Sequence, residues 1–157
     1  PEFAHLPLLL NPDRSKLSKR QGDVAVEDYL KNGYLPEALL NFILLLGWNP
    51  GTNQEIFSRQ DMINLFSLEK VNKSGAVFDN QKLDWLNGEY IRQKSAAEFA
   101  ELCQPYLAAA GITADKKFIA KAVVTEQNRI KKIRKPYCRT INQAYRNCRF
   151  SYGRDSR

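Results

Sequence analysis

The segment Pro36-Glu37-Ala38-Leu39-Leu40-Asn41-Phe42-Ile43-Leu44-Leu45-Leu46-Gly47 constrains the folding of this 157-residue chain more than any other. Proline in a first helical turn loses no hydrogen bond and has its φ preset, and glycine bounds the other end. Between them nearly every position is apolar, so the helix is predicted to be buried on several sides. The segment cannot span a bilayer. No apolar run in the chain exceeds five residues, Phe42 to Leu46 among them, against about 20 for a transmembrane helix.

Helical signals then follow one another. Val24 to Asn32 carries Val26, Tyr29 and Leu30 at helical spacing and meets Gly33, a left-handed stop. Ser58 and Asp61 match a capping box ahead of Met62, Ile63, Leu65 and Phe66. Asp79 is the expected N-cap of a helix with Leu83, Leu86 and Tyr90 on one stripe and Trp85 beside it. Ser95 and Glu98 form another capping box, opening a helix with Phe99, Leu102, Tyr106 and Leu107 that stops near Gly111. Thr113 or Asp115 caps a last one through Phe118, Ile119, Ala122 and Val123 towards Ile130 and Ile133. Ahead of all these, residues 3–10, broken by Pro7, read as an edge or terminal strand, and no second strand is expected.

Charge divides the chain unequally. The total is +7, from 24 Lys and Arg against 17 Asp and Glu. Residues 1–130 hold 15 basic and 16 acidic side chains, whereas the last 27 hold nine basic ones and only Asp155. In that tail Tyr137, Tyr145, Phe150 and Tyr152 interleave with cations, a pattern that can grip phosphates and stack on bases. A solvated terminus has the same composition, because the tail shows neither helical nor strand periodicity.

Cys103, Cys138 and Cys148 are odd in number and form no C-x-x-C pair, which argues against a disulfide framework or a zinc finger. His5 is the single histidine, so no two-histidine metal site is expected. Set among Phe3, Leu6 and Leu8, it is predicted to be a hydrogen-bonded structural residue. The first residues lack a basic, apolar, then small-residue signal pattern, which makes the cytoplasm or an organelle matrix the expected location.

The chemistry is expected between Asn11 and Gly22, a polar loop with four cations and Asp13. Its pentad Lys16-Leu17-Ser18-Lys19-Arg20 puts three cations and a hydroxyl on a loop after an apolar strand. Such a loop can close over a polyphosphate and neutralise charge developing during phosphoryl or nucleotidyl transfer, with Leu17 anchoring it to the core.

Residues 3–24 closely resemble the lysine-serine-lysine signature region of class I aminoacyl-tRNA synthetases, in the form found in the glutamyl enzymes. Two further stretches are collinear with that family: Gly33 to Phe42 followed by Leu46-Gly47-Trp48, and Phe78-Asp79 followed by Lys82 to Arg92. The resemblance implies a glutamate–tRNA ligase of bacterial or organellar type, which activates L-glutamate with ATP, Mg2+ accompanying the nucleotide, and charges tRNA(Glu). It makes Lys19 the catalytic residue, and Lys16, Leu17, Ser18, Lys19 and Arg20 the ATP-binding loop. No metal ligands of the chain's own and no membrane partner are implied, and a monomer is expected.

The fold implied is mainly α: an N-terminal strand and signature loop from a truncated Rossmann-type domain, a helical stem-contact domain, and a partial helical bundle. The corresponding segments are 1–25, the end of the catalytic domain; 26–93, the stem-contact domain; 94–133, the start of an anticodon-binding domain; and 134–157, an atypical basic tail expected to be disordered or to come from a shifted reading frame. The family's His-x-Gly-His motif needs two histidines, so most of the catalytic domain is expected upstream of Pro1 and the chain alone is expected to be inactive. The alternative reading is a stand-alone basic RNA-binding module that works through the tail.

Overall fold

The computed structural model describes residues 1, 3–18, 25–109, 111, 119–121 and 126–133. It is mostly helical, with one short parallel sheet. In order come β1 (Leu9–Leu10), α1 (Val26–Lys31), α2 (Pro36–Gly47), α3 (Arg59–Leu65), a 3-10 turn (Leu68–Lys70), β2 (Ala76–Val77), α4 (Asn80–Gln93) and α5 (Ala96–Ala109). The chain divides into two compact units, Pro1–Asn87 and Gly88–Arg157. Among the described residues no helix is long and apolar enough to cross a membrane.

The helix boundaries follow the local signals. Gly33 adopts φ 86° just after α1, the left-handed stop expected there. Ser58 accepts the Asp61 N–H at 3.1 Å while the Asp61 carboxylate accepts the Ser58 N–H at 3.0 Å, a complete capping box. Ser95 and Glu98 repeat it at 3.3 and 2.8 Å. Asp79 Oδ1 accepts the Gln81 and Lys82 N–H groups at the start of α4. Cys103 is buried and not disulfide-bonded. Cys138, Cys148, the tail and most of the helix expected after Thr113 lie outside the described residues.

Three expectations need correction. A second strand exists: β2 runs parallel to β1 with Leu9 opposite Ala76 and Leu10 opposite Val77. Two residues are too few to show alternation, and their partner lies across residues 11–75, so no local pattern could mark them. Helix α2 is buried along one side, at Ala38, Leu39, Asn41 and Phe42, whereas Leu40 and Ile43 are exposed. His5 is exposed, as are Phe3, Leu6 and Leu8, so its structural role in an apolar environment does not hold.

Two buried asparagines explain how unit 1 closes. Asn41 accepts the Phe57 N–H at 3.0 Å and donates to the Glu55 carbonyl at 2.8 Å, holding an extended segment against α2. Asn87 accepts the Leu35 N–H at 2.8 Å and donates to the Gly33 carbonyl at 3.3 Å, tying the end of α1 and the start of α2 to α4. Around them Phe42 meets Phe78 edge-on at 4.9 Å, and Trp48, Phe57 and Met62 form a second cluster. Each fully buried side chain of this size contributes about 1.5–3 kcal/mol. In unit 2 the side chain of Gln127 donates at 2.7 Å to both the Ile91 and Lys94 carbonyls, satisfying the end of α4 from a distant segment.

Candidate functional site

The described part of the polar loop is a hairpin built on β1. Carbonyls alternate in direction along a strand, and here both edges of β1 are used. Leu8 O accepts the Ala76 N–H at 2.9 Å and Leu10 O the Phe78 N–H at 2.8 Å, while Leu9 O turns the other way and accepts Leu17 N–H at 3.0 Å. Lys16 forms an antiparallel bridge with Leu10. The segment carrying the first residues of the pentad is therefore attached through β1 to β2, and β2 leads directly into Phe78 and the Asp79 cap of α4.

Pro12, Asp13 and Arg14 make the turn. Arg14 N–H donates to Asn11 O at 2.8 Å and Asn11 N–H to Ser15 O at 2.8 Å. Arg14 adopts φ 66°, the left-handed conformation that a three-residue hairpin loop requires at its third position. Side chains reinforce this backbone. Asp13 Oδ1 accepts both the N–H and the hydroxyl of Ser15, at 2.9 and 2.6 Å, and Asn11 Nδ2 donates to Ser15 Oγ at 2.9 Å and to Lys16 O at 3.4 Å. The Ser15 hydroxyl and N–H bonds hold the Asp13 carboxyl below its ordinary pKa.

Of the pentad, Lys16 is exposed, and Leu17 and Ser18 are half-buried. Lys19 and Arg20 lie outside the described residues. The anchoring expected of Leu17 is made by its backbone N–H on Leu9 as well as by its partial burial. Neither Arg14 nor Lys16 forms an ion pair with a described residue, so both charges face solvent. The polar loop expected at 11–22 is, over its first six residues, a hydrogen-bonded hairpin. Asn11, Asp13 and Ser15 read as solvated polar residues in the sequence; the turn signal Asn-Pro-Asp was the one indication of their role.

Glycine at position 75 lets the strands meet. A Cβ there would stand 2.7 Å from Leu10 Cδ1 and 3.3 Å from the Leu8 carbonyl oxygen. On α4, Lys82 pairs with Glu55 at 2.5 Å, with both side chains about two-fifths exposed, and Trp85 is the one large exposed aromatic of that helix. Lys82 lines two adjoining clefts, one of about 270 Å³ with a mixed lining that includes Phe42 and Val77 and a more polar one of about 380 Å³.

Residues 1–85 match the family described as tRNA synthetases class I (E and Q), catalytic domain. The chain is 57% identical over 111 residues to a glutamate–tRNA ligase of Chlorobium phaeobacteroides, covering 69% of this chain and 22% of that protein. It is 56% identical over 111 residues to one of Alkaliphilus metalliredigens, covering 71% and 22%. Among solved structures it resembles the glutamate tRNA ligase of Elizabethkingia meningosepticum, crystallised in complex with its amino acid, with a TM-score of 0.76, 33% identity, and coverage of 87% of this chain and 31% of that one. The glutamate-tRNA synthetase of Elizabethkingia anophelis gives 0.77 at the same identity and coverage. The chain spans about a fifth of the length of the curated relatives it matches. With the family match running through the hairpin, β2 and the first turns of α4, the chain belongs to the class I tRNA synthetases of the E and Q type.

Proposed function

We propose that this chain is the signature-loop and helical-stem part of a glutamate–tRNA ligase. In this reading a carboxylate oxygen of L-glutamate attacks the α-phosphorus of ATP, giving glutamyl-adenylate and pyrophosphate, and the acyl group then passes to the terminal adenosine of tRNA(Glu). Negative charge grows on the departing pyrophosphate. Lys19 stabilises it, with Lys16, Ser18 and Arg20 completing the phosphate contacts and Leu17 holding the segment to the hairpin. Preorganised donors of this kind contribute about 3–4 kcal/mol to lowering the barrier.

The observation that carries this reading is the anchorage of the pentad. A cationic run on a free terminus gains little from proximity, but Lys16 and Leu17 are bonded to β1, so the described start of the pentad is held in a fixed frame. Mg2+ enters with ATP in this proposal. Asp13, the only carboxylate of residues 11–22, is engaged by Ser15. The stem of tRNA(Glu) lies along α4, where Trp85 is exposed and Lys82 is half-exposed. A monomeric, cytoplasmic enzyme is part of the same proposal.

The test is a segment exchange. The 111 matching residues of the Chlorobium phaeobacteroides ligase are replaced by those of this chain, and glutamate-dependent ATP–pyrophosphate exchange is measured with tRNA present. Exchange within about tenfold of the parent supports the proposal; a folded hybrid without exchange contradicts it.

A further inference from the structure

We propose that Asn11 and Asp13 are positioning residues for the described start of the cationic pentad, setting the direction in which Lys16 approaches the polyphosphate. The inference rests on the reading of Lys16–Arg20 as the ATP-phosphate loop.

The argument starts from the backbone. A left-handed backbone is unfavourable for a non-glycine residue, and the hairpin carries one at Arg14. That conformation persists only where neighbouring interactions over-determine it. Here they converge on Ser15. Its N–H and hydroxyl both donate to Asp13 Oδ1, at 2.9 and 2.6 Å, its carbonyl accepts Asn11 N–H at 2.8 Å, and its Oγ accepts Asn11 Nδ2 at 2.9 Å. Every polar group of Ser15 is thereby engaged, and each bond is made by Asn11 or Asp13.

Lys16 comes next in the chain. Its carbonyl receives the longer 3.4 Å contact from Asn11 Nδ2, and its backbone bridges Leu10. The two side chains thus fix both the residue before Lys16 and the peptide after it, while the Lys16 side chain stays exposed. None of these bonds is buried, so their contribution to overall stability is small. Direction is where they matter. An error of about 1 Å in a cation aimed at a transition state costs about 100-fold in rate, far more than such exposed bonds contribute to folding.

The experiment uses the full chain and the hybrid ligase described above, each carrying Asn11→Ala, Asp13→Ala or Asp13→Asn. In the full chain, hydrogen exchange is expected to rise at the Ser15 and Leu17 amides in both alanine variants and to stay unchanged within α2. In the hybrid, the alanine variants are expected to raise KM for ATP by about tenfold or more while KM for glutamate stays within about twofold. Asp13→Asn keeps the acceptor oxygen and is expected to retain most of the activity. Unchanged ATP parameters overturn the inference, and so does a uniform fall in kcat with both KM values unchanged, which is what loss of folded enzyme produces. If Lys19→Ala in the same hybrid leaves exchange intact, the phosphate-loop reading itself fails, and this outcome is distinguishable from the others.

Discussion

The Leu9 carbonyl accepts the Leu17 N–H at 3.0 Å while the carbonyls on either side of it, Leu8 and Leu10, bond to Ala76 and Phe78. One three-residue stretch therefore joins the candidate phosphate loop to the helical part of unit 1. Disturbing β2 should consequently be felt in the loop, although residues 75–78 are remote from it in sequence.

Gly75 offers the direct way to do so. An added methyl would press on Leu10 Cδ1 and approach the Leu8 carbonyl, an acceptor of the ladder. Gly75→Ala is expected to destabilise the chain by about 1–3 kcal/mol in chemical denaturation. Hydrogen exchange at Ala76 and Phe78 should rise with it. A variant as stable as the parent would show that the strands separate without cost.

Arg14 gives a prediction of opposite sign. Glycine adopts the left-handed conformation freely, which removes roughly 1–2 kcal/mol of backbone cost, but its larger unfolded-state entropy returns roughly 0.5–1 kcal/mol of this. Arg14→Gly is therefore expected to stabilise the chain by about 0.5–1 kcal/mol, read as a rise in denaturation midpoint at constant slope. A fall in the midpoint would show that the arginine side chain makes a stabilising contribution outweighing its backbone strain.

Asn41 is fully buried in a largely apolar helix, and replacing it with leucine strands two backbone groups, the Phe57 N–H and the Glu55 carbonyl. Each buried orphan costs about 1–3 kcal/mol, partly offset by the apolar gain, so Asn41→Leu should destabilise by about 2–3 kcal/mol. Equal or greater stability would contradict the clamp.

These positions also show what was legible in the sequence. The Ser58–Asp61 and Ser95–Glu98 caps, the Gly33 stop and the extent of α2 depend on residues within four of one another, and all were read correctly. Which face of α2 is buried was not legible. Apolar residues lie on nearly every side of the helix, Leu40 and Ile43 on its exposed side among them, and the buried polar residue Asn41 looks like an interruption. The β1–β2 pairing is set by residues far apart in the chain. In the candidate site the pentad was recognisable from its cations, but the bonds that hold Ser15 come from small polar residues whose loop composition suggests only solvation.

Acid should loosen the hairpin in a defined range. The Asp13 carboxyl is held below its ordinary value by Ser15, so its contribution is present at neutral pH and is lost only as pH falls through that lowered value. An NMR titration is expected to place the Asp13 midpoint below about 3.9, and Ser15→Ala should raise it towards that figure. Glu98, held down by Ser95, should respond in the same way to Ser95→Ala. A midpoint for Asp13 at or above the ordinary value would contradict the Ser15 hydrogen bonds.

The most direct test of the account is ATP–pyrophosphate exchange by the hybrid ligase with and without Lys19→Ala, with tRNA present in both assays. The account predicts a loss of about 100-fold or more in exchange, with tRNA affinity nearly unchanged. Exchange at the parental rate in the Lys19→Ala hybrid would contradict it.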